Sequence, residues 1–339
     1  MSATAHLTCL CGAVSTSANT LLGSATFPIS SELCHCNSCR QSSGTVVCSF
    51  LELAGPPDSE TLAKTKAYAS SDAMTRHFCA TCGTHCFVHV HARRKWYAAS
   101  GTIEPATQPE AVRDVVKITA HKYVGDSADL AVMLKRIGGR EVPCYLETVD
   151  GESMSEKELS QLASKDKNSV PQAQELPARC HCGTIDLKIA RPELKDAERY
   201  AWLFANNTKY MGKFCVCRAC RLGCGFPMQS WTYVPPQRIL RSDGEAVDFG
   251  VRDTNVQGFS IYNSSERVRW YFCGTCGATV LYRRDDRPDF INVGVGVLRA
   301  ETGALAKEWV EWSGELFPLV MNRGSGLDGE LIEAVAAHG

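Results

Sequence analysis

Cys34-His35-Cys36-Asn37-Ser38-Cys39-Arg40 is the stretch from which the organisation of this chain follows. It places three cysteines within six residues, so one short loop can wrap three thiolates around a single soft metal ion. Three protein ligands with an open fourth position are typical of working zinc sites, whereas closed structural sites use four ligands. The stretch therefore predicts a zinc site that can accept a further ligand.

The same spacing returns later as Cys215-Val216-Cys217-Arg218-Ala219-Cys220-Arg221, again with an arginine after the last cysteine. We call Cys34, Cys36 and Cys39 triad 1, and Cys215, Cys217 and Cys220 triad 2. Each triad lies between a Cys-x-Cys-Gly and a Cys-x-x-Cys-Gly sequence. The period of roughly 180 residues is too long for a solenoid repeat and indicates two whole domains.

The outer cysteine pairs predict one four-cysteine set in each half of the chain. Set 1 consists of Cys9, Cys11, Cys79 and Cys82, and set 2 of Cys180, Cys182, Cys273 and Cys276. Four thiolates from two separated turns suit a tetrahedral zinc ion that joins distant hairpins and contributes folding energy. The alternative is a redox Cys-x-x-Cys site, but such motifs usually open a helix in a βαβ pattern.

The triads cannot complete a tetrahedron by themselves. A water, a thiol substrate or another side chain, such as His35 or Cys224, must supply the fourth ligand. An open zinc position can hold an incoming thiol as thiolate or act as a Lewis acid. A closed or often empty site is the alternative for either triad. We therefore expect two to four Zn²⁺ ions per chain.

Composition and charge restrict the class of protein. The formal net charge is −1, which argues against nucleic acid as a partner. No apolar run approaches the roughly 18 residues that span a bilayer, and Met1 to Gly12 lacks the pattern of a secretory signal. Cytosolic thiols stay reduced, so 18 closely spaced cysteines suit metal binding better than disulfides. We expect a cytoplasmic protein that binds neither membrane nor nucleic acid.

β-rich runs such as Thr45 to Leu53 and Val115 to Val124 predict a mainly β chain. We divide it into a first zinc-binding domain (1–149), a linker (150–177), a second zinc-binding domain (178–326) and a C-terminal helix (327–339). Ser, Glu, Lys and Gln dominate the linker, where Ser155 with Glu158 could cap one short helix.

Two further groups of residues have open roles. Cys48, Cys86, Cys144 and Cys224 fall outside the sets and triads, and burial as small apolar side chains is the favoured interpretation, least securely for Cys224. His85, His89 and His91 share one strand face, which suggests a metal site. No carboxylate or cysteine joins them at ligand spacing, so the solvent-facing side of an edge strand is favoured.

The order Cys9-x-Cys11-Gly12, Cys34-His35-Cys36-x-x-Cys39-Arg40-x-x-x-Gly44 and Phe78-Cys79-x-x-Cys82-Gly83 resembles the glutathione-dependent formaldehyde-activating enzyme family, which includes centromere protein V. The resemblance covers both halves and implies two tandem small zinc domains of twisted antiparallel sheets. It implies structural zinc at sets 1 and 2 and labile catalytic zinc at triads 1 and 2. The family's named activity joins formaldehyde to glutathione, a carbon–sulfur lyase reaction.

These features together predict a zinc-dependent carbon–sulfur lyase that acts on a glutathione adduct or a related small thiol conjugate. Cys34, Cys36 and Cys39 would hold the metal and the substrate thiolate, and His35 could move a proton. Arg40 could pair with a substrate carboxylate, although a structural contact to loop carbonyls is favoured for it. The alternatives are a zinc-stabilised binding or scaffold protein, and a metabolic enzyme that uses the zinc site on a non-glutathione molecule.

The two halves are not identical around their triads. Val216 replaces His35, and Cys224 has no counterpart in the first half. This divergence suggests either one active half and one structural half, or a pseudo-dimer of the two repeats with a shared cleft.

Overall fold

The computed structural model of the chain describes residues 5–23, 26–105, 114–165, 173–193, 208–250, 256–313 and 328–337. The strands in these ranges are β1 (Ala5–Thr8), β2 (Ser15–Ser17), β3 (Ile29–Cys34), β4 (Cys48–Glu52), β5 (Thr65–Ser71), β6 (Met74–Cys79), β7 (His85–Val90), β8 (Lys95–Ala99), β9 (Ile103–Pro105), β10 (Val116–Lys122), β11 (Arg136–Ile137), β12 (Arg140–Glu141), β13 (Glu175–Arg179), β14 (Asp186–Ala190), β15 (Tyr210–Cys215), β16 (Gln229–Val234), β17 (Ile239–Arg241), β18 (Phe259–Ser265), β19 (Val268–Cys273), β20 (Thr279–Arg284), β21 (Ile291–Gly294) and β22 (Val310–Trp312).

The helices are short. They are α1 (Ala18–Leu22), α2 (Asn37–Ser43), α3 (Ser59–Ala63), α4 (Ala128–Met133), α5 (Glu156–Lys165), α6 (Arg218–Cys224) and α7 (Gly329–Ala336). In the part of the chain that the structure describes, no helix combines the length and apolar character needed to cross a membrane.

Each half contains a seven-stranded sheet, and the two sheets have the same strand order. The first runs β10-β3-β4-β8-β7-β6-β5 and the second β22-β15-β16-β21-β20-β19-β18. Each sheet contains one parallel pair, β10 with β3 and β22 with β15, while its other pairs are antiparallel. The mainly β tandem fold is therefore confirmed, with mixed sheets in place of purely antiparallel ones.

The segment predicted as a linker contains helix α5. Its start has the predicted capping arrangement, since the Glu158 backbone N–H donates to Ser155 Oγ (3.3 Å) and the Ser155 N–H donates to Glu158 Oε2 (2.8 Å). Leu159 is buried in a small apolar cluster with Val124, Ala131 and Cys144 of the first half. This part of the segment thus packs against the first half, while residues 166–172 lie outside the described ranges.

The two halves contact each other through equivalent residues. Arg40 donates to the carbonyls of Gly296 (3.3 Å) and Leu298 (2.8 Å), as Arg221 donates to those of Gly101 (2.5 Å) and Ile103 (3.1 Å). The Gly296 N–H also donates to the Gly44 carbonyl (3.1 Å), as the Gly101 N–H does to that of Gly225 (3.0 Å). Reciprocal contacts between the same patches are typical of isologous interfaces. The Arg-x-x-x-Gly sequence after each triad therefore joins the halves.

Gly44 is where this interface is tightest, and we expect Gly44→Ala to lower the free energy of unfolding by about 2 to 4 kcal/mol. Gly44 ends α2 with φ +82°, and a Cβ there would lie 1.8 Å from the Thr279 carbonyl oxygen of the other half. Urea unfolding measures the loss. Gly244→Ala is the matched control, because Gly244 has φ +88° but nothing within 4 Å of a Cβ. Equal losses in the two variants would contradict the close contact.

Candidate metal centres

Set 1 brings four thiols to one point from two turns. Cys9 and Cys11 follow β1, and Cys79 and Cys82 lie at the β6–β7 turn. Sγ–Sγ distances are 3.5 Å for Cys9–Cys11 and 3.6 Å for both Cys9–Cys79 and Cys11–Cys79. A tetrahedron with Zn–S bonds of 2.3 Å needs sulfurs about 3.8 Å apart. The four thiols therefore fit a tetrahedral zinc ion.

Set 2 repeats this geometry in the second half. The Sγ atoms of Cys180 and Cys182 are 3.5 Å apart, as are those of Cys182 and Cys273. The backbone N–H groups of Thr275 and Cys276 donate to Cys273 Sγ at 3.4 and 3.5 Å, which stabilises a thiolate there. All four Sγ atoms of each set lie within 4.8 Å of one another, so each set could hold a metal ion.

Triad 1 is assembled where β3 passes into α2. Cys34 ends β3, Cys36 is the N-cap residue of α2, and Cys39 lies in its first turn. The Sγ atoms of Cys34 and Cys36 are 3.5 Å apart, and the Cys39 N–H donates to Cys36 Sγ at 3.4 Å. Cys34 and Cys39 are buried, whereas Cys36 is partly exposed. The group therefore has an accessible side at Cys36.

Arg76 is a buried cation at triad 1 that the sequence analysis missed. It lies in β6, is 2% exposed, and its Nη2 donates to Cys39 Sγ at 3.3 Å. Hydrogen bonds from the thiols of Cys34, Cys36 and Cys48 hold the pKa of Cys39 well below its usual range, and the charge of Arg76 lowers it further. Burial opposes the charged form of Arg76, but the negative charge of Cys39, its hydrogen bond to Arg76 and the charges of Cys48 and Cys36 together outweigh this and raise the Arg76 pKa.

Aromatic side chains surround triad 2, in contrast to the buried arginine at triad 1. Trp270 takes the place of Arg76, since each lies three residues before the Cys-x-x-Cys sequence of its half. Trp231 Nε1 donates to Cys220 Sγ at 3.4 Å, and Tyr282 packs edge-on against Trp270 with ring centroids 4.8 Å apart. Hydrogen bonds with the thiols of Cys215 and Cys217, together with burial, raise the pKa of Cys220. The two triads thus differ by one buried positive charge.

His35 lies between two ligands of triad 1, but its ring is directed elsewhere. Its Nδ1 is 2.9 Å from Ser127 Oγ and its Nε2 is 2.8 Å from His121 Nδ1. The residue is fully buried, and burial followed by the neighbouring His121 lowers its pKa. Because both nitrogens are engaged, this placement gives no support to a proton transfer by His35 at the triad. Arg40, for its part, is engaged with carbonyls of the second half, as its structural interpretation predicts.

The four cysteines outside the sets and triads are buried, as predicted. Cys48 nevertheless adjoins triad 1, because it lies directly opposite Cys34 in the β3–β4 pair. Cys224 Sγ contacts the carbonyl oxygens of Phe226 (3.4 Å) and Met228 (3.6 Å) and is not grouped with the thiols of triad 2. Its packing therefore resembles that of a core residue rather than a ligand.

The interpretation of the three histidines as the solvent face of an edge strand is wrong. β7 is an interior strand of the sheet, since it pairs with β6 on one side and with β8 on the other. His85 is buried, and burial together with the charge of Arg76 lowers its pKa to about 4. His89 stacks on Trp96 with ring centroids 4.6 Å apart. Among the described residues the three histidines form no group that could hold a metal.

Comparison with known proteins gives one family. The family described as glutathione-dependent formaldehyde-activating enzyme matches residues 4–124 and 202–312, and each range contains one triad. No curated protein matches the chain. The crystal structure of a Rhodobacter sphaeroides protein is 16% identical, covers 40% of this chain and 99% of that protein, and has a TM-score of 0.26.

Proposed function

The chain belongs to the glutathione-dependent formaldehyde-activating enzyme family, and we propose on this premise that it is a cytoplasmic, zinc-dependent carbon–sulfur lyase. Its substrate would be a glutathione adduct or a related small thiol conjugate. The observation that carries the proposal is the contact between Arg76 and Cys39 at a three-thiol group with an accessible side. A purely structural site has no need of a buried cation and an open position.

Cys34, Cys36 and Cys39 would hold the ion of triad 1, and sets 1 and 2 would hold structural ions. Zinc bound by three thiolates supplies an open coordination position that stabilises a fourth thiolate. Three thiolates and a dication carry a net charge of about −1, so a further anion meets repulsion unless a cation lies nearby. Arg76 offsets that charge from a buried position, where electrostatic interactions are strong. It therefore favours the binding of a substrate thiolate.

At triad 2, Trp270 stands where Arg76 stands at triad 1, and it packs with Trp231 in the cluster that includes Cys215 and Cys220. We therefore assign the reaction to the first half and a structural role to the second. The reciprocal contacts of Arg40 and Arg221 support a pseudo-dimer in which the second half takes the place of a partner subunit.

Cys36→Ser tests the assignment. Cys36 is the partly exposed member of triad 1, so its replacement should remove one metal ion and lower turnover of a glutathione adduct by about 100-fold or more, while the fold remains. Native mass spectrometry counts the ions, and circular dichroism checks the fold. Cys144→Ser is the matched control, because Cys144 is buried away from every thiol group in the described residues. Full activity of Cys36→Ser would overturn the assignment.

Native mass spectrometry of the unmodified chain with glutathione separates this proposal from its alternative. Release of one ion, or its retention with bound glutathione, would support the lyase. Four ions that are indifferent to glutathione would favour a zinc-stabilised binding protein or a different substrate.

A further inference from the structure

The second half contributes residues to the surroundings of triad 1. His181, which lies between two ligands of set 2, donates its backbone N–H to the Gln41 carbonyl in α2 (3.1 Å). Its Nε2 is 3.3 Å from Ser38 Oγ, and its Nδ1 is 2.6 Å from Tyr68 Oη. Ser38 lies between Cys36 and Cys39 in the chain. The turn of set 2 is therefore packed against the triad of the other half.

These polar side chains remain accessible. Ser38, Tyr68 and His181 are each partly exposed, as is Cys36, whereas the rest of triad 1 is buried. The hydroxyl and imidazole groups can both donate and accept hydrogen bonds. The partly exposed side of triad 1 thus adjoins a polar surface to which both halves contribute.

The equivalent surface at triad 2 is apolar. Leu10 takes the place of His181 between the first two cysteines of set 1, and Ala219 takes the place of Ser38. Tyr262 in β18 corresponds to Tyr68 in β5. The strand pairings place Tyr262 opposite Trp270 and Tyr68 opposite Arg76. Leu10, Ala219 and Tyr262 pack against the buried cluster of triad 2, which includes Trp270. The hydrogen bonds that link Ser38, His181 and Tyr68 at triad 1 therefore have no equivalent at triad 2, where Ala219 and Leu10 replace the serine and the histidine.

We propose that the second half completes the substrate site of the first half. His181 is held by Tyr68 at Nδ1, and its Nε2, which contacts Ser38 in this structure, would hydrogen-bond the polar part of a thiol conjugate. The inference rests on the proposed function and adds a specificity-determining residue from the other half. It also predicts that triad 1 binds a thiol with polar groups close to its sulfur better than it binds an apolar thiol. Leu10 gives triad 2 an apolar wall that offers such groups no hydrogen bond.

The hydrogen bonding of Ser38 and His181 explains why this site would select polar thiols. A substrate amide or carboxylate that replaces the 3.3 Å contact between His181 and Ser38 leaves both groups hydrogen-bonded. An apolar thiol that covers the partly exposed Ser38 and His181 displaces water from them and offers no hydrogen bond in exchange, and burying polar groups without replacing their hydrogen bonds to water is costly. Sites built to hydrogen-bond a substrate group discriminate strongly against analogues that lack it.

The experiment measures thiol binding to the full zinc-loaded chain by native mass spectrometry, with glutathione as the polar probe and benzyl mercaptan as the apolar one. We expect His181→Leu to weaken glutathione binding by about tenfold and to change benzyl mercaptan binding by less than about threefold. In turnover, KM for a glutathione adduct should rise while kcat stays. Leu10→His is the matched control and should leave glutathione binding at triad 1 unchanged.

The outcomes separate the two proposals. If the unmodified chain binds no glutathione, the proposed function is overturned. If it binds glutathione and His181→Leu binds it equally well, this inference is overturned while the proposed function stands. His181→Asn guards against a structural effect on set 2, because asparagine can still donate and accept hydrogen bonds. Glutathione affinity retained in His181→Asn supports the inference, and the same loss in both variants contradicts it.

Discussion

Cys79→Ser is expected to remove the metal ion of set 1 and to unfold the first half of the chain. Cys79 is fully buried, and its Sγ lies 3.6 Å from those of both Cys9 and Cys11. Structural zinc contributes about 10 to 16 kcal/mol of apparent binding free energy, which is as large as the whole stability of a typical domain. A serine hydroxyl is a poor ligand for a soft site of this kind. Native mass spectrometry and thermal unfolding should record both losses.

Cys86→Ser controls for the burial of a hydroxyl at a cysteine position. Cys86 is also fully buried, and its thiol donates to the Thr84 carbonyl, but it belongs to no thiol group in the described structure. We expect this variant to keep its metal ions and to lose about 1 to 3 kcal/mol of stability. A Cys79→Ser chain that unfolds at the same temperature as Cys86→Ser would show that set 1 does not hold the domain together.

The ligand groups could be predicted from sequence because their spacing is local. Two cysteines separated by one or two residues lie close enough for one short segment to aim both thiols at one point, so Cys34, Cys36 and Cys39 could be recognised as one group. The duplication could be recognised in the sequence for the same reason. The fold class followed from β-rich runs between these turns, and the structure confirms it.

The surroundings of the triads could not be predicted from the sequence, because they depend on contacts between distant segments. Arg76 is 37 residues after Cys39, and strand pairing alone brings it to the thiol. One signal was present, since Arg76 and Phe78 are two apart in a strand and share a face that is buried. A charged residue on a buried face needs a partner of opposite charge. The thiolates of the predicted metal sites are the anionic groups that could supply it.

Residues that adjoin the ligands in the sequence are directed elsewhere in the structure. His35 and Arg40 adjoin triad 1 in the chain, but a side chain that follows a ligand in a strand or helix points to another face. Arg40 reaches carbonyls of Gly296 and Leu298, which a reading of either half alone cannot reveal. His181 was overlooked for the same reason, because its side chain contacts Ser38 and Tyr68 of the other half.

Arg76→Met is expected to weaken metal binding at triad 1 and to abolish glutathione binding there, with a stability loss of about 3 to 5 kcal/mol. Methionine fills a similar volume, so the change removes mainly the charge and the hydrogen bond to Cys39. The metal-bound thiolates then keep their net negative charge without the buried arginine that offsets it, and a fourth thiolate would add to the repulsion. Native mass spectrometry with a competing chelator measures the metal affinity, and glutathione titration measures the binding.

Arg269→Met is the matched control for this prediction. Arg269 is also a buried arginine and lies in the second half, but it pairs with Asp285 and contacts no thiol among the described residues. Its replacement also breaks the ion pair of a buried arginine and should lower the stability, yet it should leave all metal ions and glutathione binding in place. The comparison therefore separates the general cost of removing a buried cation from its electrostatic effect on triad 1. If Arg76→Met bound glutathione as the unmodified chain does, the charge difference between the triads would not support assigning the proposed reaction to the first half.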